Sequence, residues 1–181
     1  MARALIILAG LLAAASLRVD AGSICPTYWT EFNGSCYRHF ARQMTWWEAE
    51  IHCQTHVLPS ASDCSTYTMA HLASVTTQAE QEFLYTFFNT NADVDSESTS
   101  GVRLWIGIND IVVEGEFVWS DGSNASYRNW RPNQPDNYRG QEDCVHIGLT
   151  HVRRNEWNDI NCNSDTIRHF ICKGPARILD P

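Results

Sequence analysis

Two rhythms of apolar residues divide this chain. In its first half Ala79, Phe83, Leu84, Phe87 and Phe88 recur at intervals of three and four, the spacing that lines one face of an α-helix. Ahead of them Thr77-Gln78-Ala79-Glu80 forms a capping-box pattern, in which a hydroxyl accepts from the backbone N–H three residues on and that residue's carboxylate reaches back. A helix is therefore predicted from this box to near Asn89. The same pattern in Thr45-Trp46-Trp47-Glu48 predicts a shorter helix from Trp46 to about Gln54. From Leu104 onward short β-type runs take over, and strands are predicted at Leu104 to Ile108, Glu116 to Ser120, Asp143 to Gly148, Glu156 to Trp157 and His169 to Lys173.

Punctuation between these runs fixes the rest. Tyr28 to Phe32 and Cys36 to Phe40 flank Asn33-Gly34, the strongest short hairpin signal, so two antiparallel strands open the domain. Thr55 to Thr68 is polar, with Pro and Ser, and reads as an inserted loop. Asn91 to Ser100 is acidic and rich in small residues, which favours an exposed linker. Trp47, Trp105, Trp130 and Trp157 are expected in the core, and the seven histidines, which show no metal spacing, are expected at the surface or in packing. With helices early and strands late, the pattern is α+β.

The first residues change the picture of where the protein works. Met1-Ala2-Arg3, the apolar run to Leu17 and Val19-Asp20-Ala21 read as a secretory signal cut after Ala21. That run is too short to span a bilayer, which takes about 20 apolar residues. Residues 22–181 are then one domain, expected to be secreted, soluble and without a transmembrane anchor. The net charge of −8 argues against nucleic-acid partners, and removal of two arginines and one aspartate with the leader makes it more negative. Seven cysteines on a secretory route read as disulfides with one left over, and six alone allow 15 connectivities.

Oxygen-bearing side chains supply the candidate chemistry. Gln134-Pro135-Asp136 and Glu142 are followed by Trp157-Asn158-Asp159, giving three carboxylates and two amides with no His or Cys among them. Cations of calcium's size take six to eight oxygens, whereas zinc prefers nitrogen or sulfur. Cys144 and Cys162 bracket the gap between the two halves, so a disulfide there would bring both around one ion.

Taken together, these pieces resemble the C-type lectin domain. The residues that carry the likeness are Tyr28-Trp29, Cys36-Tyr37, Trp47-Glu48-Ala49 with Cys53, His71-Leu72-Ala73-Ser74-Val75, Trp105-Ile106-Gly107-Ile108 and Asn129-Trp130. They continue through Gln134-Pro135-Asp136-Asn137, Glu142-Asp143-Cys144, Trp157-Asn158-Asp159, Cys162 and Phe170-Ile171-Cys172. The likeness spans about Cys25 to Lys173. It implies two helices packed with two small antiparallel sheets, a long loop region carrying a Ca²⁺ site, and the bridges Cys25–Cys36, Cys53–Cys172 and Cys144–Cys162. Cys64 then stays unpaired in the insertion, where an odd cysteine is either a free thiol or, as favoured here for a secreted chain, a bridge that links two chains as a disulfide homodimer.

The resemblance also implies roles within the site. Gln134, Asp136, Glu142, Asn158 and Asp159 would hold the principal Ca²⁺, with a cis bond before Pro135, and would leave two coordination places for neighbouring sugar hydroxyls. The Gln-Pro-Asp order resembles the galactose-type members, with Tyr138 as the ring under the sugar's apolar face. Asp110, Glu114, Asn137, Glu142 and Asp143 match a second Ca²⁺ site, weakened because Asn137 stands where an aspartate is common. Asn33 and Asn124 begin glycosylation sequons. The function expected is a secreted, Ca²⁺-dependent lectin for galactose-containing glycans. The competing reading is a lectin-like module that binds protein, ice or mineral without sugar, and no catalytic motif such as GxSxG or HExxH points to an enzyme.

Overall fold

The computed structural model describes residues 23–60, 66–91, 102–149 and 154–178. The leader, Cys64 and most of the acidic linker lie outside the described residues. In chain order the elements are β1 (Ser23–Ile24), β2 (Thr30–Phe32), β3 (Ser35–Phe40), α1 (Trp46–Gln54), β4 (Val57–Pro59), β5 (Tyr67–Met69) and β6 (His71–Leu72). They continue with α2 (Gln78–Asn91), β7 (Val102–Asn109), β8 (Val118–Trp119), β9 (Cys144–Leu149), β10 (Arg154–Ile160), β11 (His169–Pro175) and β12 (Arg177–Ile178). Antiparallel pairing joins β2, β3, β11 and β6 in one group and β8, β7, β9 and β10 in another. A short parallel match of His169 with Leu104 and Phe170 with Trp105 connects them. The expected α+β class and two helices are present.

Local chemistry accounts for the element starts. Asn33 and Gly34 take φ of 48° and 76°, the left-handed pair that a tight hairpin turn requires. Strand β2 begins at Thr30 rather than Tyr28, because Tyr28 itself has φ of 71° and cannot continue a strand. At α1 the Thr45 hydroxyl accepts from the Glu48 N–H while the Glu48 carboxylate accepts from the Thr45 N–H, so the box closes as the sequence predicts. Trp47 is a correction: it is 43 % exposed, and Trp46 at 3 % takes the core position. The Trp46 indole N–H donates to the Ile106 carbonyl at 2.9 Å, which anchors the helix start to β7.

The second box closes differently. Thr77 Oγ1 accepts from the Glu80 N–H at 3.1 Å, but the Glu80 carboxylate turns inward. It accepts from the N–H and hydroxyl of Thr76, each at 2.7 Å, from the Tyr37 hydroxyl, and from Lys173 Nζ at 2.5 Å. Burial alone would raise its pKa, and these donors more than reverse that, holding it below the ordinary glutamate value. Helix α2 runs to Asn91, two residues past the predicted end, where the Asn89 and Asn91 amides donate to the Tyr85 and Phe87 carbonyls.

The predicted loop from Thr55 to Thr68 contains structure: β4 and β5 pair as Val57 with Met69, Leu58 with Thr68 and Pro59 with Tyr67. Three-residue strands are too short for periodicity to reveal, and Leu58 supplies the reason they hold. It is fully buried against Gly174, where an added Cβ would stand 3.0 Å from Leu58 Cδ1. Disulfides Cys25–Cys36, Cys53–Cys172 and Cys144–Cys162 brace the fold. Cys53–Cys172 ties α1 to β11 across 119 residues, a loop whose closure is worth about 4 to 5 kcal/mol in the chain-entropy model.

Candidate metal centre

Between β8 and β9 the chain from Ser120 to Asp143 forms no strand, and its position depends on β10. Trp130 bridges Trp157, with the Arg131 N–H donating to the Trp157 carbonyl at 3.0 Å and the Trp157 N–H to the Asn129 carbonyl at 2.8 Å. The Trp157 ring is fully buried and meets the rings of Trp119, Tyr127 and Trp130 edge-on. Strand alternation sends Trp157 and Asp159 inward. Ile160 pairs with Cys144 in register, and the Cys144–Cys162 bridge closes the same end. The site therefore rests on an aromatic cluster and a covalent clamp.

Onto this base the loop brings its acids. Carboxylate oxygens of Asp136, Glu142 and Asp159 lie within 4.8 Å of one another. Asp159, fully buried, holds the loop through both oxygens, accepting from the Asp136 N–H at 3.2 Å and the Asn137 N–H at 2.7 Å. Glu142 accepts from the Tyr138 N–H at 3.0 Å, and its own N–H donates to Asn137 Oδ1 at 3.1 Å. Burial pushes the Glu142 carboxyl above its ordinary range, and the charges of Asp159 and Asp136 push the same way. Three carboxylates packed this closely need a proton or a cation among them.

Two amides complete the set. Gln134 Oε1 is buried without a hydrogen-bond partner, a cost unless something electropositive meets it. The Gln134–Pro135 peptide is cis. Asn158 Nδ2 lies against the Asp159 carbonyl. An amide's oxygen and nitrogen exchange places by a half-turn, and turned over, Asn158 would set an oxygen beside that carbonyl, which only a cation makes favourable. The donor set is all oxygen and fits a hard cation of calcium's kind.

The second predicted group is gathered less tightly. Asp110 is 2 % exposed, its Oδ2 accepts from the Gly115 N–H at 2.8 Å, and its Oδ1 is buried without a partner. Its pKa is raised by burial first, then by the charges of Glu114 and Asp143. Among the described residues, however, only Asp136, Glu142 and Asp159 form a convergent acidic cluster. Asn137 Oδ1 is engaged by the Glu142 N–H.

Tyr138 stands at the rim, 58 % exposed, in a 3-10 turn from Tyr138 to Gly140. Its neighbour Arg139, which the sequence marks only by the adjacent Tyr-Arg pair, places its guanidinium 5.0 Å from the Tyr138 ring centroid. Asn33 and Asn124 are both exposed.

Comparison with known proteins gives a consistent result. The lectin C-type domain profile matches residues 42–174. Echinoidin of Heliocidaris crassispina is 39 % identical over 155 residues, covering 83 % of this chain and 97 % of its own. The α-N-acetylgalactosamine-specific lectin of Patiria pectinifera is 38 % identical over 164 residues, 88 % of each chain. Among solved structures, the C-type lectin CEL-I of Cucumaria echinata superposes with a TM-score of 0.68 at 33 % identity, covering 82 % of this chain and 96 % of that one.

Proposed function

The chain belongs to the lectin C-type domain family, and from that membership we propose that it is a secreted lectin whose sugar site is a Ca²⁺ held by Gln134, Asp136, Glu142, Asn158 and Asp159. The observation that carries this reading is the convergence of the Asp136, Glu142 and Asp159 carboxylates within 4.8 Å. Ca²⁺, when bound, supplies a hard positive centre for two neighbouring sugar hydroxyls. The carboxylates accept from those hydroxyls and the amides donate to them, so the same side chains serve metal and sugar. Two of the relatives are named as lectins, binding proteins, and no catalytic role falls to this chain.

The preferred sugar is galactose or N-acetylgalactosamine. Gln134 and Asp136 set an amide and a carboxylate in the order that suits a diol with an axial 4-hydroxyl, and exposed Tyr138 offers a ring to the sugar's apolar face. The relative from Patiria pectinifera is named for N-acetylgalactosamine, in keeping with this preference. Asp110, Glu114, Asn137, Glu142 and Asp143 form a second, weaker Ca²⁺ site supported by the partnerless Asp110 Oδ1. Residues 1–21 direct export, residues 22–181 form the mature domain, Asn33 and Asn124 accept glycans, and Cys64 links two chains so that paired sites raise avidity.

Competition of galactose against mannose in Ca²⁺, with and without chelator, tests the reading. Galactose-selective, chelator-sensitive binding is expected, and Gln134→Glu with Asp136→Asn should move the preference toward mannose. Sugar binding that ignores the chelator overturns the role of Ca²⁺, and complete absence of sugar binding overturns the reading in favour of a module that recognises protein, ice or mineral.

A further inference from the structure

The Arg139 guanidinium stands over the Tyr138 ring, and among the described residues that ring is its only recorded partner. Among the described residues it forms no ion pair, although Asp136 and Glu142 lie three residues away on either side. An arginine placed here only to offset the acids would pair with one of them. Arg139 instead sets its guanidinium over an exposed ring, and its side chain is itself exposed.

That placement is held from below. Asn137 and Arg139 both take left-handed backbone, with φ of 40° and 62°, which costs free energy in non-glycine residues. Hydrogen bonds offset that cost: the Gly140 N–H donates to the Asn137 carbonyl at 2.7 Å, and the Tyr138 N–H donates to Glu142 at 3.0 Å. Glu142, a member of the acidic cluster, thus also positions the turn that displays Tyr138 and Arg139 at the rim.

Charge attraction to a ring leaves a guanidinium's hydrogen bonds for other acceptors, and among the described residues no acceptor is recorded for Arg139. Its five N–H donors radiate in the plane, and a free edge of this kind matches a carboxylate or sulfate with two parallel hydrogen bonds. We propose that Arg139 is a specificity-determining residue that selects galactosides bearing a sulfate or carboxylate, its edge binding the anion while the Tyr138 ring carries the sugar's apolar face. The inference rests on the galactoside reading above.

The test measures binding of galactose, galactose 6-sulfate and galacturonate in Ca²⁺ to the full chain and to the Arg139→Ala and Arg139→Lys variants. The unaltered protein should bind at least one acidic sugar roughly five- to tenfold more tightly than galactose, the scale of one charge-assisted contact. Preference for the sulfate or the carboxylate alone identifies which anion is read. Arg139→Ala should bring the acidic-to-neutral ratio to about one, and Arg139→Lys, with charge but no planar fork, should keep part of it. A purely structural role for Arg139 would weaken all three sugars alike, so an unchanged ratio in Arg139→Ala overturns the proposal, as does a ratio of one or less in the unaltered protein. Failure of the unaltered protein to bind any of the three in Ca²⁺ overturns the galactoside reading itself.

Discussion

The Trp157 indole N–H donates to Gln81 Oε1 at 2.7 Å, joining helix α2 to the strand that carries Asn158 and Asp159. Gln81 is fully buried and also binds Asn155, through its Nε2 to the Asn155 carbonyl at 3.1 Å and its own carbonyl to Asn155 Nδ2 at 3.0 Å. A helix residue with no place in the metal cluster thereby sets where the cluster's base sits.

Gln81→Leu should therefore cost about 1 to 3 kcal/mol, the usual penalty for leaving a buried donor without a partner. Urea unfolding measures the loss. Ca²⁺ titration should show weaker binding in the same variant, because Asn158 and Asp159 follow Trp157 directly. Full stability in Gln81→Leu would contradict the role assigned to this contact.

Ca²⁺ should stabilise the domain, by about 2.7 kcal/mol at a concentration one hundred times the dissociation constant. Thermal unfolding with and without chelator reads this. Asp159→Asn should abolish most of the difference, whereas Asp110→Asn, outside the convergent cluster, should preserve most of it. Indifference of the unaltered protein to chelator would end the metal assignment.

Acid should weaken Ca²⁺ binding, since a protonated carboxyl cannot hold the cation. The Glu142 carboxyl is raised by burial and by Asp159 and Asp136, so protons should begin to compete above the ordinary glutamate range. A pH series of Ca²⁺ titrations checks the midpoint, and Glu142→Gln should remove the early part of the fall along with much of the affinity.

His146 predicts a separate, metal-independent acid effect. Burial, with smaller contributions from Arg103 and Arg131, lowers its pKa from 6.5 to about 3. The unfolded chain binds this proton at higher pH than the folded one, so the contribution is full above pH 6.5 and is lost as pH falls toward 3. The loss should reach a few kcal/mol, at about 1.4 kcal/mol per unit. Urea unfolding in chelator between pH 7 and pH 4 should show a flatter profile for His146→Leu than for the unaltered protein.

Lys173→Met should cost about 3 to 5 kcal/mol, because it leaves the Glu80 carboxylate buried without its cation. Replacing both partners, as Glu80→Met with Lys173→Met, should recover part of that loss. Equal losses in the single and double variants would show that packing, and not charge, holds α2 against β11.

What could be read from the sequence was what neighbouring residues decide. Thr45 and Glu48 close a box three residues apart, and Asn33-Gly34 needs only its own backbone preference. The inward turn of the Glu80 carboxylate is not legible because its cationic partner, Lys173, is 93 residues away, and no local pattern encodes that. Trp46 and Trp47 are equivalent to a periodicity argument, and the choice between them is made by the Ile106 carbonyl on β7. Strands β4 and β5 were hidden because three residues carry no rhythm. At the site, Gln134, Asp136, Glu142, Asn158 and Asp159 could be named as oxygen donors from their types alone. That Asp159 would hold the loop by two backbone N–H groups, and that Arg139 would lie over Tyr138, depends on contacts made only after the chain has folded.

Lys173 is the sole lysine of the chain, and its ammonium is held between the Glu80 carboxylate and the oxygens of Ser74. The folded domain therefore displays no reactive ε-amine. Amine-directed dyes, crosslinkers and surface-coupling reagents should reach only the α-amino group, giving a domain attached at one defined point with its carboxylate cluster unmodified, while labelling at Lys173 becomes a direct report of unfolding.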